Sequence, residues 1–195
     1  MRKILWFCLL FTAVLAGASH QISIPEVVGS PVLDGEDEDV CWQNAAVVFG
    51  LVDSKTQALA EEATVMRLVK SEETLFGYVY CEQKGAEKQT KPMGSVELFF
   101  TNGSSVFQFI LDHANGVFEQ ELLPDAGLGT RPGEPFDSGI RVCSKVRADN
   151  WMVEFALPLK SLQLKDDSFG LNLVRNNRGA QVGAPQRQQV RHVLR

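Results

Sequence analysis

The sequence is poor in histidine and lacks the short motifs that mark common catalytic centres. Its three histidines are His20, His113 and His192, and His113 lies in the turn-like segment LDHANG, where a surface position is the simplest interpretation. No GxSxG, HExxH, phosphate-loop or GxGxxG pattern occurs. A Ser-His-Asp or Cys-His enzyme would have to use His113 as its base, so the sequence predicts that this chain is not an enzyme.

Cysteine is also scarce, with four residues in the whole chain. Cys8 lies in the apolar N-terminal run, which leaves Cys41, Cys81 and Cys143. These three form no CxxC element and have no histidines at zinc-finger distances, which argues against a structural zinc site. Their odd number permits one disulfide and one free thiol, and all three pairings stay open.

A long apolar run is found only at the N-terminus. Arg2 and Lys3 precede the apolar residues 4–15, and the small residues 16–18 follow. This pattern is typical of a secretory signal peptide and not of a membrane span. We therefore expect a signal peptide over residues 1–18 and one domain over residues 19–195, in a protein that is secreted or lies in the periplasm or cell envelope.

Basic residues are outnumbered by acids, 19 to 24, and the formal charge of −5 becomes −7 once Arg2 and Lys3 are removed. An acidic protein is a poor partner for nucleic acid or for an anionic membrane surface. Only the segment after Asp167 is locally basic, since five arginines and no acid follow that residue. We interpret this segment as a solvated or frayed end.

From about Thr64 the chain consists of short alternating segments separated by turn residues. TVMRLVK and TLFGYVYCE predict a hairpin, and the turns at Asn102-Gly103 and at residues 114–116 predict a three-stranded meander over residues 95–123. GIRVCSKV, WMVEFALP and SFGLNLVRNN predict further strands. This pattern predicts an all-β, antiparallel β-sandwich of jelly-roll or immunoglobulin-like type, with one or two short helical turns.

Acidic residues are concentrated in the segment VLDGEDEDVCWQNA, residues 32–45. Asp34, Asp37 and Asp39 are candidate calcium ligands, because calcium prefers oxygen donors, although a solvated turn explains them as well. Asp39 is also placed to cap a short helix that would turn Trp42 toward a core.

Two further acids, Glu97 and Glu154, stand within apolar strands. A pair of carboxylates could serve a glycosidase, but an acid in such a strand usually points to the solvated face. We therefore do not assign them a catalytic role.

Four segments in a fixed order resemble the family 9 carbohydrate-binding modules. VLDGEDEDVCWQNA resembles that family's opening turn with its tryptophan, and TVMRLVKSEETLFGYVYCE resembles the next hairpin. SVELFF with FQFILDHANG resembles the central V-E and Q-F pair, and WMVEFALPLKSL with GLNLVRNN resembles the closing W-x-x-E and N-x-x-R strands.

The resemblance implies a secreted, non-catalytic β-sandwich that binds polysaccharide or oligosaccharide ends in a cleft, often with structural calcium, within carbohydrate catabolism. Glu97 matches the ligand-contacting acid of the V-E element, and Gln108 matches the glutamine before the shared phenylalanine. Asn172 and Arg175 match the closing motif, where they lie on or near the cleft or hold the last strand by hydrogen bonds.

The chain departs from the family pattern at several positions. Ile110 stands where the sugar-binding members carry an arginine, and Gly94-Ser95 replaces the acid before V-E. Neither stacking tryptophan is present, and the resemblance places the end of the chain before the family's last strand.

Two other functions remain open from the sequence. Related sandwich domains bind b-type haem through methionine with histidine or lysine, and Met93, Met152, His113 and Lys91 are available as axial ligands. Alternatively, the missing tryptophans suit an envelope interaction module that binds no small ligand.

Overall fold

The computed structural model describes residues 20–53, 56–89, 93–124, 130–133, 136–177 and 186–194, and their secondary structure is almost entirely β. The strands are β1 (His20–Ile22), β2 (Ala46–Val48), β3 (Val52–Asp53), β4 (Thr64–Lys70), β5 (Thr74–Glu82), β6 (Gly94–Thr101), β7 (Val106–Asp112), β8 (Val117–Pro124), β9 (Thr130–Pro132), β10 (Arg141–Arg147), β11 (Asn150–Pro158), β12 (Phe169–Asn177) and β13 (Gln186–Leu194).

Helical structure in the described residues is limited to short 3-10 turns. They comprise Val40–Asn44, Ala86–Lys88 and Leu159–Leu162, three where one or two were expected. No helix in this part of the chain is long and apolar enough to cross a membrane.

The strands form two sheets that confirm the predicted β-sandwich. The eight-stranded sheet has the order β1-β13-β12-β6-β7-β8-β9, and β3 also pairs with β13. The five-stranded sheet has the order β10-β11-β5-β4-β2. The predicted hairpin is β4–β5, and the predicted meander is β6–β7–β8. All pairings are antiparallel except that of β1 with β13.

The segment after Asn177, for which no strand was predicted, contributes β13 between β12 and β1. The eight-stranded sheet therefore continues beyond the closing N-x-x-R strand. That this chain lacks the family's last strand stays a prediction.

The main core lies between the sheets, where alternating positions of each strand meet. Strand β7 shows the alternation clearly, since Phe107, Phe109 and Leu111 are buried while their neighbours are partly exposed. Phe109 packs edge-on against Phe100 with ring centroids 5.7 Å apart. Each fully buried phenylalanine stabilises the fold by about 1.5–3 kcal/mol, so the inward faces of β6 and β7 fix the positions of the outward residues described below.

A second buried cluster covers the outer face of the five-stranded sheet. Trp42 is 3% exposed there and packs with the core residues Val69, Phe76, Tyr78, Met152 and Ala156. The prediction that Trp42 is a core residue is confirmed. The capping prediction for Asp39 is wrong: within the described residues its carboxylate makes no cap hydrogen bond and instead accepts the Val32 amide at 2.8 Å.

The three described cysteines differ in exposure, and none of them forms a disulfide within the described chain. Cys81 is buried in the main core, and burial raises the pKa of its thiol to about 12. Cys41 and Cys143 are partly exposed, and burial raises the pKa of both thiols.

We expect a thiol reagent added to native protein of residues 19–195 to modify Cys41 and Cys143 slowly and to leave Cys81 unmodified. The nucleophile is the thiolate, and at Cys81 it is both inaccessible and disfavoured. Denaturant should expose the third thiol. A Cys81→Ala variant serves as the control, and a lower native stoichiometry in that variant would contradict the placement of Cys81.

Candidate functional site

A row of polar side chains crosses the outer face of the eight-stranded sheet. Gln108 Nε2 on β7 donates to Glu97 Oε2 on β6 at 2.9 Å, and Gln120 Nε2 on β8 donates to Gln108 Oε1 at 2.5 Å. Asn176 Nδ2 on β12 donates to the other Glu97 oxygen. On β6, β7 and β12 these residues occupy outward positions, and the alternate residues of the same strands enter the core. We call Glu97, Gln108, Gln120 and Asn176 the polar row.

Glu97 is the centre of the polar row and is 9% exposed. Both of its oxygens accept hydrogen bonds from side-chain amides, which hold the carboxylate in one orientation. Gln108, Gln120 and Asn176 are all partly exposed. A side-chain amide carries two donor hydrogens and two acceptor lone pairs, so the row keeps hydrogen-bonding capacity for a ligand.

A cleft of about 280 Å³ opens beside the polar row, at one end of β6, β7 and β8. Its lining consists of Gly94, Ser95, Ile110, Asp112, Gly116, Val117 and Phe118. Ser95 lies within 3.5 Å of the Asn176 amide, and Ile110 is the register partner of Glu97. The cleft and the row therefore form one continuous surface.

The turn between β7 and β8 forms the edge of the cleft. Asp112 Oδ1 accepts the amides of Ala114 at 2.8 Å and Gly116 at 2.7 Å. Asn115 has φ 63°, a left-handed conformation that asparagine tolerates better than most residues. The predicted Ala114-Asn115-Gly116 turn is thus present, and it joins the ends of β7 and β8 that line the cleft.

Two of the four predicted site residues, Glu97 and Gln108, meet in the polar row. Asn172 lies on the same outer face but outside the row; its register partner on β6 is Phe99. Among the described residues, its buried Oδ1 has no hydrogen-bond partner.

Arg175 points the opposite way, into the sandwich, and is fully buried. Its guanidinium donates to Ala63 O at 3.2 Å, Thr64 Oγ1 at 3.1 Å and Glu82 O at 2.5 Å, and lies 3.6 Å from a Glu62 carboxylate oxygen. Of the two roles expected for Arg175, the structure fits the second, because the side chain ties β12 to the other sheet.

Sequence reasoning missed Gln120, Asn176 and Phe118. The alternation in VFEQELL places Phe118 and Gln120 on one face of β8, and the register of the meander sets Gln120 opposite Gln108. Asn176 shares a face with Asn172, four residues earlier on β12. The alternation of residues along β8 and β12 was visible in the sequence. The pairing of the strands, however, decided which face of each strand points outward.

Glu97 and Glu154 do not form a carboxylate pair, because Glu154 lies on the outer side of the five-stranded sheet. Glu154 is fully buried, contrary to the solvated position expected for it, and accepts the amides of Asp34 at 2.8 Å and Gly35 at 2.7 Å. Burial raises the pKa of Glu154. Gly35 has φ 77°, and a Cβ there would lie 2.7 Å from Lys145 Cβ, so this close approach requires glycine.

The candidate calcium acids each have another partner. Asp34 accepts the Glu36 amide at 2.9 Å, Asp37 pairs with Arg67 at 3.0 Å, and Asp39 accepts the Val32 amide. In the ranges that the structure describes, no group of three or more His, Cys, Asp or Glu could hold a metal ion. Structural calcium stays a prediction from the resemblance.

The candidate haem ligands were methionine with histidine or lysine, and the structure places the two candidate methionines in different clusters. Met93 is buried in the main core, whereas Met152 belongs to the outer cluster around Trp42, on the other side of the five-stranded sheet. The ring of His113 lies 6.3 Å from that of Trp151, and Lys91 lies outside the described residues. The haem alternative is not favoured.

Searches against known proteins reveal similarity of structure and not of sequence. No protein-family model matches the chain, and no curated protein matches it. A proposed carbohydrate-binding protein from Bacteroides uniformis is similar in structure, with a TM-score of 0.63 and 10% identity over 90% of this chain and 91% of that chain.

Two solved structures of a family 9 carbohydrate-binding module from Caldicellulosiruptor kristjanssonii are also similar. The complex with glucose has a TM-score of 0.62 and 16% identity over 90% of this chain and 95% of that chain. The complex with cellotriose has a TM-score of 0.56 and 15% identity over 91% and 93%. The chain therefore has the fold of the family 9 carbohydrate-binding modules.

Proposed function

We propose that this domain binds carbohydrate on the outer face of the eight-stranded sheet, through the polar row. The observation that carries the proposal is the carboxylate of Glu97 held by Gln108 and Asn176, beside an open cleft. The similar module structures contain glucose and cellotriose, which supports a glycan as the ligand class.

The chemistry of the polar row suits sugar hydroxyl groups. A hydroxyl both donates and accepts, so it can donate to Glu97 while accepting from a neighbouring amide. Hydrogen bonds to a charged carboxylate are about twice as strong as neutral ones. Because Glu97 is already held in one orientation, little side-chain entropy is lost when a ligand binds.

The same proposal extends to the cellular role suggested by the sequence. The N-terminal signal-like segment supports a secreted, periplasmic or envelope location, and the absence of a catalytic motif in the sequence supports a non-catalytic module. We propose that the domain recognises polysaccharide or oligosaccharide for carbohydrate catabolism, without itself cleaving the chain.

Replacing Glu97 with alanine should weaken glycan binding by about tenfold to a hundredfold, since a hydrogen bond to a charged group contributes about 1.5–3 kcal/mol. The protein of residues 19–195 would be titrated calorimetrically with cellotriose and with a panel of soluble glycans. Glu72→Ala is the matched control, because Glu72 is an exposed acid in the β4–β5 hairpin of the other sheet.

Two outcomes would count against the proposal. An absence of binding by the unaltered protein across the whole panel would overturn the carbohydrate-binding function. Equal affinities of the unaltered protein and the Glu97→Ala variant would show that the binding site lies outside the polar row.

A further inference from the structure

We propose that Phe118 is the platform on which a sugar ring of the ligand stacks. The inference rests on the proposed carbohydrate-binding function and adds to it a residue that contacts the apolar face of the ligand.

Strand register places Phe118 in line with Glu97. Phe118 on β8 pairs with Ile110 on β7, and Ile110 pairs with Glu97 on β6. Neighbouring strands lie about 4.8 Å apart, so Phe118 and Glu97 are separated by roughly 10 Å across the sheet. That span accommodates one pyranose ring lying over Ile110.

The apolar and polar groups run side by side. Phe118 and Gln120 are two residues apart on β8, and Ile110 and Gln108 are two residues apart on β7, so all four side chains share the outer face. A ring above Ile110 would rest its C–H face on Phe118 and direct its hydroxyl edge toward Gln108 and Glu97. Apolar and polar contacts of this kind define most small-molecule sites.

Phe118 is available for such a contact. Its residue surface is 51% exposed, although it lies within a sheet and lines the cleft. The faces of an aromatic ring are electron-rich and attract the weakly positive C–H groups of a sugar. The cleft volume of about 280 Å³ is close to the lower limit of roughly 300 Å³ for small-molecule pockets, so it suits a single ring.

The test is to measure cellotriose binding by calorimetry for Phe118→Ala, Phe118→Leu and Phe118→Trp in the protein of residues 19–195. We expect the alanine variant to bind about tenfold more weakly and the leucine variant to lie between, because stacking contributes beyond the buried area. The tryptophan variant should retain affinity, and its fluorescence should change on addition of cellotriose relative to the unaltered protein.

Phe49→Ala is the matched control, because Phe49 is 68% exposed and lies next to β2 of the other sheet. Its affinity should equal that of the unaltered protein. Thermal melting of every variant separates a loss of binding from a loss of folding, and the leucine variant keeps the test informative if the alanine variant unfolds.

The outcomes separate this inference from the proposed function. If the unaltered protein binds cellotriose, Glu97→Ala weakens binding and Phe118→Ala does not, the platform is overturned while the carbohydrate-binding function stands. If the unaltered protein binds no glycan, both are overturned. An equal loss of cellotriose affinity in the Phe49→Ala variant would also contradict the proposed role of Phe118.

Discussion

Replacing Arg175 with alanine is expected to lower the free energy of unfolding by about 2–5 kcal/mol, because each buried polar group left without its donor costs about 1–3 kcal/mol. The guanidinium is fully buried and donates to Thr64 and Glu82 of the opposite sheet and to Ala63, which precedes β4. Its removal would leave two backbone carbonyls and the Glu62 carboxylate without this donor. Urea-induced unfolding measures the change.

The matched control is Arg67→Ala, because Arg67 is a partly exposed arginine whose ion pair with Asp37 spans 3.0 Å. Exposed pairs of this kind contribute about 0–1 kcal/mol, so this variant should stay close to the unaltered protein. Glycan affinity per folded molecule should not change in the Arg175 variant. A stable Arg175→Ala protein that loses glycan binding would show that Arg175 belongs to the binding site.

Replacing Glu154 with alanine should destabilise the domain by about 2–4 kcal/mol, because the amides of Asp34 and Gly35 would lose their shared acceptor. This acceptor fixes the turn that leads into the 3-10 segment carrying Trp42. We therefore expect the near-ultraviolet signal of the tryptophans to change together with the urea midpoint. Glu72→Ala, which removes an exposed acid, should leave both unchanged.

The Glu154→Gln variant tests the pH dependence of the same contact. Burial raises the folded-state pKa of Glu154 above the ordinary value of 4.5, so the folded protein binds this proton more tightly than the unfolded chain does. The free energy of unfolding of the unaltered protein should therefore fall as pH rises from 4.5 through the raised pKa, and the lower level should persist above it. The side chain in the Glu154→Gln variant cannot titrate, so this variant should lack the fall in the free energy of unfolding. An identical pH profile in both proteins would contradict the prediction.

The strands that alternate apolar and polar residues were predictable, and the hairpins were predictable from their turn residues. TVMRLVK and VFQFILD became β4 and β7, because alternation over five or more residues leaves one face that must be buried. WMVEFALP is a short and nearly continuous apolar run, and it became β11, which is buried on both faces. The shorter strands β1, β2 and β3 were not predicted. A segment of two or three residues is too short to show an alternation of apolar and polar residues. These strands form only because a longer neighbouring strand offers them hydrogen bonds.

The candidate site was predictable only in part. Glu97 and Gln108 were chosen by resemblance, and their hydrogen bond follows from the register of β6 with β7. Arg175 was chosen from the same closing motif, yet it lies on the core face of β12, since Asn176 occupies the outward position next to it. A shift of one residue along a strand moves a side chain to the opposite face of the sheet. The motif alone therefore could not show that Arg175 faces the core and Asn176 faces outward.

The sequence by itself determined that the chain folds as a β-sandwich, because its alternating apolar segments can be buried only by two sheets packed face to face. It also determined that Trp42 enters a core, and the family resemblance supplied Glu97 and Gln108 of the polar row. Only the tertiary structure decided which side chains share a surface. Glu97, Gln108, Gln120 and Asn176 come from four strands, and Arg175 and Glu154 are buried by partners distant in sequence. Such contacts depend on strand order and register, which hydrogen bonds between sequence-distant residues establish.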